Sequence, residues 1–215
     1  MPRRVASARL AVPIGEAFDA VGIDEHGAER AVVGRAGISG ATLANHVIDR
    51  QTRVMTVSDL DLVHLRRAVA LAREAADSGD GPFGSVLVDA AGIERFADRN
   101  REASTGDATR HPEFEIARWA AAHLSPAERA RATVYTSGEH CPMCSAAHAW
   151  VGLGRIVFVA SSAQISQWRE RLGAPASPVA ALPISVVAPA IPTDGPVDEL
   201  VDEVRVLIER AVVAD

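Results

Sequence analysis

The chain has 215 residues, 48% of them hydrophobic, enough for one sizeable core or one core with an appendage. Its net charge of −6 leaves no broad basic surface to neutralise phosphates, so a nucleic-acid partner is not expected and a small uncharged substrate is. Two cysteines are too few for a disulfide scaffold, and no apolar run reaches the roughly 18 residues a spanning helix needs, so a cytoplasmic protein with no membrane partner is the expectation.

Residues 1–57 are rich in Gly and Ala with polar interruptions, and read as an N-terminal appendage. A short helix capped by Ser39 fits there, and His26 and His46 have no ligand-like companions. A regular domain is expected over 58–215. Apolar residues at 62, 65, 69, 72 and 76 form a helical stripe after a Ser58 cap and before a glycine stop. "FGSVLVDAAG" predicts a strand and turn, and "GIERFADRN" a second strand paired with it as a hairpin. A helix is expected from Pro112 to His123, then a short turn at "SPAERA" with Ser125, Pro126 and Glu128 in capping-box order. "ATVYTS" reads as a buried strand, "CPMCSAAHAWVGLG" as a helix closed by glycine, "RIVFVAS" as a strand and "SAQISQWRERLG" as a helix. "LPISVVAP" reads as a late strand, and the C-terminal helix runs from acidic to basic as its dipole prefers. The order implies a layered α/β domain with a mixed sheet.

Cys141 and Cys144 stand one helical turn apart, with Pro142 suited to a first turn. Thiolates are favoured at a helix N-terminus, and a pair at that spacing can hold one ion. His111, at the start of another predicted helix, adds a nitrogen. Three protein ligands plus water describe a catalytic zinc site, whereas a structural site needs four. His148 and His140 are rival ligands, and one of them closing the fourth position would mark a structural zinc-binding interaction domain instead. Glu113, two residues past His111, is placed to relay protons if a dry pocket tunes its carboxylate. A redox Cys-x-x-Cys or simple core filling would leave the His111–Glu113 spacing without a purpose. Glu115 reads equally as a pocket or a surface residue.

On these residues the chain resembles the zinc-dependent cytidine deaminase-like superfamily. "HPE" at 111–113 and "CPMC" at 141–144 carry the likeness. The similarity extends to "GPFGSVLVD" at 81–89, "RN" at 99–100 and "DATRHPE" at 107–113, which look most like the branch of guanine, cytosine and tRNA adenosine deaminases. The resemblance implies a three-layer α/β/α sandwich with a five-stranded mixed sheet, a bound Zn²⁺ and a homodimer. It implies that Glu113 is the proton shuttle and Asn100 a hydrogen-bond partner of the base. Phe83 and Gly84 would shape the pocket wall, and groups near Ser137 would hold the ring or receive the amine. Two departures stand out: His140 where proline is usual, and Pro112 where a small residue is common. The bulky Phe114 and Glu115 beside the shuttle leave the substrate open. Guanine or guanosine is the favoured expectation, with cytosine, pterin or triazine-type rings and tRNA adenosine as alternatives. Trp119 need not face the pocket, Trp150 reads as core or dimer surface, and Trp168 as core or lid.

Overall fold

The structure is a computed structural model, and it describes residues 57–214. The expected Ser39 helix, His26 and His46 lie outside the described residues.

Helix α1 (Asp59–Asp77) starts at Ser58, whose hydroxyl accepts the Asp61 N–H while Asp61 Oδ2 accepts the Ser58 N–H at 2.8 Å. This reciprocal cap satisfies two amide donors that a helix start otherwise leaves open. Leu62, Leu65, Val69 and Ala72 are buried along one stripe, as their spacing predicts. After Ser78, Gly79 takes a left-handed φ of 78° and turns the chain back toward the sheet.

Strands β1 (Gly84–Val88) and β2 (Glu94–Arg99) form the expected antiparallel hairpin. A short helix α2 (Glu102–Thr105) follows, then α3 (Pro112–His123), α4 (Pro126–Arg129) and β3 (Thr133–Gly138). The chain continues through α5 (Pro142–Val151), β4 (Arg155–Ala160), α6 (Ser162–Arg171), α7 (Ile184–Val187), β5 (Thr193–Asp194) and α8 (Asp198–Ala214). The strand order is β2-β1-β3-β4-β5, with β1 antiparallel to both neighbours and β3, β4 and β5 mutually parallel. This is the expected five-stranded mixed sheet.

Alternation along the strands assigns the two faces. Val86, Val88, Tyr135, Val157 and Val159 pack under α1, α6 and α8, together with Trp168, Leu200, Val204 and Ile208. Leu87 and Val134 face the other way, onto Ile116, Ala117 and Ala120 of α3 and Ala147 and Val151 of α5. The result is three layers, α/β/α. Trp168 is core, and Trp119 stacks between Phe96 and His123. Trp150 is 88% exposed and so is not a core residue.

One expectation is corrected. "LPISVVAP" is not a strand: Ile184–Val187 is one helical turn opened by Pro183, and the last strand is the two-residue β5. Tertiary packing overrides the β-branched composition here. Ile184 and Ala188, four apart, both seat on Ile156 and Phe158, a spacing only a helical turn supplies. The Glu139 carboxylate accepts the Ile184 N–H at 2.9 Å and the Ser162 N–H at 2.8 Å, satisfying the starts of α7 and α6 together.

Candidate metal centre and active site

Two helix starts converge beside the hairpin strands. His111 is the N-cap of α3 and Cys141 the N-cap of α5, each followed by proline at the first helical position. Neither side chain makes a capping hydrogen bond; His111 turns toward the two cysteines and Cys141 toward Cys144, one turn on. Cys144, one turn into α5, is buried beside them.

The three donor atoms form a nearly equilateral triangle. Cys141 Sγ and Cys144 Sγ are 3.5 Å apart, and His111 Nδ1 is 3.6 Å from each. A tetrahedral zinc with ordinary bond lengths would place its sulfurs about 3.8 Å apart and sulfur and nitrogen about 3.6 Å apart. The triangle therefore fits the ion closely. Among the described residues, these are the three His, Cys, Asp or Glu side chains whose donor atoms draw together in this way. His148 Nε2 is instead engaged with the Gly154 carbonyl at 2.8 Å. His140 is buried against His148, edge to face, and stays neutral because burial and the neighbouring His148 and His111 push its pKa well down. Neither rival histidine joins the triangle.

Without metal, the cluster holds protons that an ion would displace. Burial opposes a charge on His111, but hydrogen bonding to Cys141 and Glu102 and the charge on Glu113 outweigh it and raise its pKa to about 10. Cys141 is brought down to about 4 by its contact with Cys144, against burial and with help from His111. Cys144 is pushed well up by the same thiol contact and by burial.

Glu113 is 6% exposed in the first turn of α3. Ser85 Oγ and Thr136 Oγ1 donate to its Oε1 at 2.7 and 2.9 Å. Oε2 lies 3.8 Å from Cys144 Sγ, so this oxygen faces the metal ligands. Burial raises the Glu113 pKa, and the His111 charge and the two hydroxyls only partly offset it. A carboxyl group whose pKa is raised in this way is suited to picking up a proton and handing it on.

Asn100 is 1% exposed, its Oδ1 accepts the Glu102 N–H at 3.0 Å, and its Nδ2 is buried with no partner. A buried amide donor left unspent is costly unless something supplies an acceptor.

The sequence family described as the cytidine and deoxycytidylate deaminase zinc-binding region matches residues 58–160. A probable cytosine deaminase of Schizosaccharomyces pombe is 33% identical over 119 residues, covering 54% of this chain and 70% of that one. The chain belongs to the zinc-dependent deaminase family. The guanine deaminase of Bacillus subtilis is 35% identical over 97 residues, spanning 45% of this chain and 62% of that protein. The fold is shared with a solved guanine deaminase from Nitrosomonas europaea, with a TM-score of 0.58 at 21% identity over 73% of this chain and 86% of that one.

The remaining expected site residues of this deaminase divide by location. Phe83 is partly buried; its ring lies close over Gly138 and its carbonyl accepts the Asn100 N–H at 2.9 Å. Ser137 is fully buried, and its hydroxyl accepts the Gly84 N–H at 3.1 Å, tying β3 to the start of β1. Gly84, expected to shape the pocket wall, has a packing task in the structure. A Cβ there would sit 2.5 Å from the Ala68 carbonyl oxygen, so Gly84 lets α1 approach the sheet. Glu115 is paired with Arg110 and Arg118, both at 3.2 Å. Ser85 and Thr136 were missed by sequence reasoning. Ser85 is the one hydroxyl residue of the otherwise apolar β1, whereas β3 carries four hydroxyl residues and nothing local marks Thr136 among them.

Proposed function

We propose that this nucleobase or nucleoside deaminase acts on guanine or guanosine, releasing ammonia. The setting of Glu113 carries the reaction: one carboxylate oxygen anchored by two hydroxyls, the other turned to the ligand triangle in a closed site. His111, Cys141 and Cys144 would hold the zinc, which when bound supplies Lewis acidity and a water activated at neutral pH. Glu113 takes a proton from the attacking water and delivers it to the ring nitrogen beside the carbon under attack. It then takes the proton of the hydroxyl newly added to the ring carbon and passes it to the departing amine. The carbon–oxygen bond forms, the carbon–nitrogen bond breaks, ammonia leaves and a ring carbonyl remains. Asn100 offers Nδ2 to an acceptor on the base, and Phe83 lies near enough to border the ring.

The guanine assignment is supported by the likeness to the Bacillus guanine deaminase and by the "GPFGSVLVD" and "CPMC" segments. Cytosine is the second reading, favoured by the Schizosaccharomyces relative, of which the chain covers a larger share. A homodimer is the assembly the family likeness implies, and Trp150, exposed on α5, is available to such a contact. The test is ammonia release from guanine, guanosine and cytosine in parallel with the zinc-loaded protein. Turnover of cytosine alone would replace the guanine assignment with the second reading, and release from neither purine would end it. Turnover confined to a tRNA anticodon stem would overturn the small-molecule reading altogether.

A further inference from the structure

The two ring nitrogens of His111 have separate neighbours. Nδ1 faces both cysteine sulfurs, while Nε2 lies 2.7 Å from Glu102 Oε1. A ring that lends Nδ1 to a metal carries its proton on Nε2, so Nε2–H is the donor and the Glu102 carboxylate the acceptor. Glu102 also touches the base-binding side of the site, because its backbone N–H donates to Asn100 Oδ1. The backbone there is pinned independently of the Glu102 side chain. Ser104 N–H donates to the buried Asp80 at 2.8 Å, and Asp80 is ion-paired with Arg99 at 2.8 Å. The Glu102 side chain is about one-third exposed, where an ion pair adds little to folding stability. Its short contact with a metal ligand is therefore best explained by the centre it supports.

We propose that Glu102 is a positioning residue for the metal centre, its carboxylate fixing His111 as an Nδ1 ligand while its backbone orients Asn100. This rests on the reading of His111 as a zinc ligand in a deaminase. The family likeness gives Asn100 and His111 their expected roles and gives none to Glu102. A carboxylate behind a ligating imidazole selects one tautomer, fixes the ring plane and raises the basicity of the ligand nitrogen. The backbone contact to Asn100 survives a side-chain substitution, although the Asn100 side chain also lies close enough to the Glu102 carboxylate to help lower its pKa.

The experiment compares Glu102→Ala and Glu102→Gln with the parent chain. Zinc affinity is read by chelator competition, ligand geometry by the visible spectrum of the cobalt-substituted protein, and folding by thermal unfolding of the metal-free protein. Glu102→Ala is expected to weaken zinc about 10- to 100-fold and to shift the cobalt bands. Glu102→Gln, which can still accept from Nε2 without charge, should lose less. kcat should fall more than KM rises, since the backbone contact to Asn100 is kept. Zinc affinity within about twofold of the parent in both variants, with unchanged cobalt bands, would overturn the proposal. Should the alanine variant not fold, the glutamine variant decides alone by the same criterion. The zinc and cobalt readings need no substrate, so failure of the guanine assignment would leave them interpretable.

Discussion

Ser85 Oγ lies 2.7 Å from Glu113 Oε1, directly across the β1–β3 ladder from Thr136, which reaches the same oxygen. The register of two antiparallel strands thus decides which carboxylate oxygen is left to face the metal ligands. Both hydroxyls favour the ionised form, so removing either raises the Glu113 pKa further. Ser85→Ala and Thr136→Val should each lower kcat about 10- to 100-fold, the range expected for a hydrogen bond to a charged group. The acidic limb of the kcat–pH profile should move to higher pH, because ionisation of the base then requires a higher pH. Zinc content should stay at one per chain. A profile unchanged in position would show that the hydroxyls do not tune the shuttle.

Glu113→Gln keeps the shape of the side chain and an oxygen for Ser85 and Thr136, but cannot carry a proton between water and substrate. Zinc binding and the fold should persist while turnover falls about 10²- to 10⁴-fold. Metal analysis beside a single-turnover ammonia assay checks this. Loss of zinc together with activity would reassign Glu113 to the integrity of the site.

Zinc binding should depend steeply on pH. In the metal-free protein near pH 7, His111 with its pKa near 10 and Cys144 with its raised pKa hold protons, whereas Cys141 near 4 has lost its own. Ligation requires all three deprotonated, so two protons leave for each ion bound. Affinity should therefore rise by about two log units per pH unit between roughly pH 5 and 9, and flatten only at higher pH. Calorimetry in buffers of different ionisation enthalpy counts the protons directly. A count of none would mean the metal-free cluster is already deprotonated.

Gly84→Ala tests the glycine's structural task. The added methyl would meet the Ala68 carbonyl oxygen and the Leu71 Cβ at 2.5 Å and the Ala72 amide nitrogen at 2.6 Å, none of it a flexible side-chain tip. Overpacking of this kind costs about 1–3 kcal/mol. Urea unfolding should show that loss with zinc affinity intact, whereas a pocket-wall role would instead show in KM.

The parts of the site that were legible in sequence are those written locally. Pro112 and Pro142 each follow a ligand and open a helix, Gly152 closes α5 at a left-handed φ of 73°, and the one-turn Cys141–Cys144 spacing needs no tertiary information. What was not legible depends on strand register or loop closure. Ser85 and Thr136 are 51 residues apart and meet only because β1 and β3 pair as they do. Glu102 reaches His111 only because the chain after β2 folds back through α2. The turn at Ile184–Val187 is β-branched and reads as strand until Ile156 and Phe158 are known to lie beneath it.

Asp61 offers the longest-range example and a stability prediction. It caps α1 through Ser58, accepts the Tyr135 hydroxyl at 2.8 Å and pairs with Arg155 at 2.8 Å, which in turn holds Asp194 of β5. One carboxylate thus joins the first helix to three strands. Burial alone would raise its pKa, but the Ser58 amide, Arg155, the Ser58 hydroxyl and Tyr135 together bring it down to about 2. A carboxyl group with a depressed folded-state pKa adds stability that is complete above its unfolded value, near 3.9, and is lost as pH falls through about 2. That linkage is worth on the order of 2 kcal/mol. Asp61→Ala also strands Arg155 with one partner and removes the cap, so its cost at pH 7 should be about 3 kcal/mol. Urea unfolding at pH 7 and again near pH 2.5 should show the gap between parent and variant narrowing, because the parent alone loses the Asp61 contribution. A gap that stays constant across that interval would mean Asp61 acts through packing rather than through its charge.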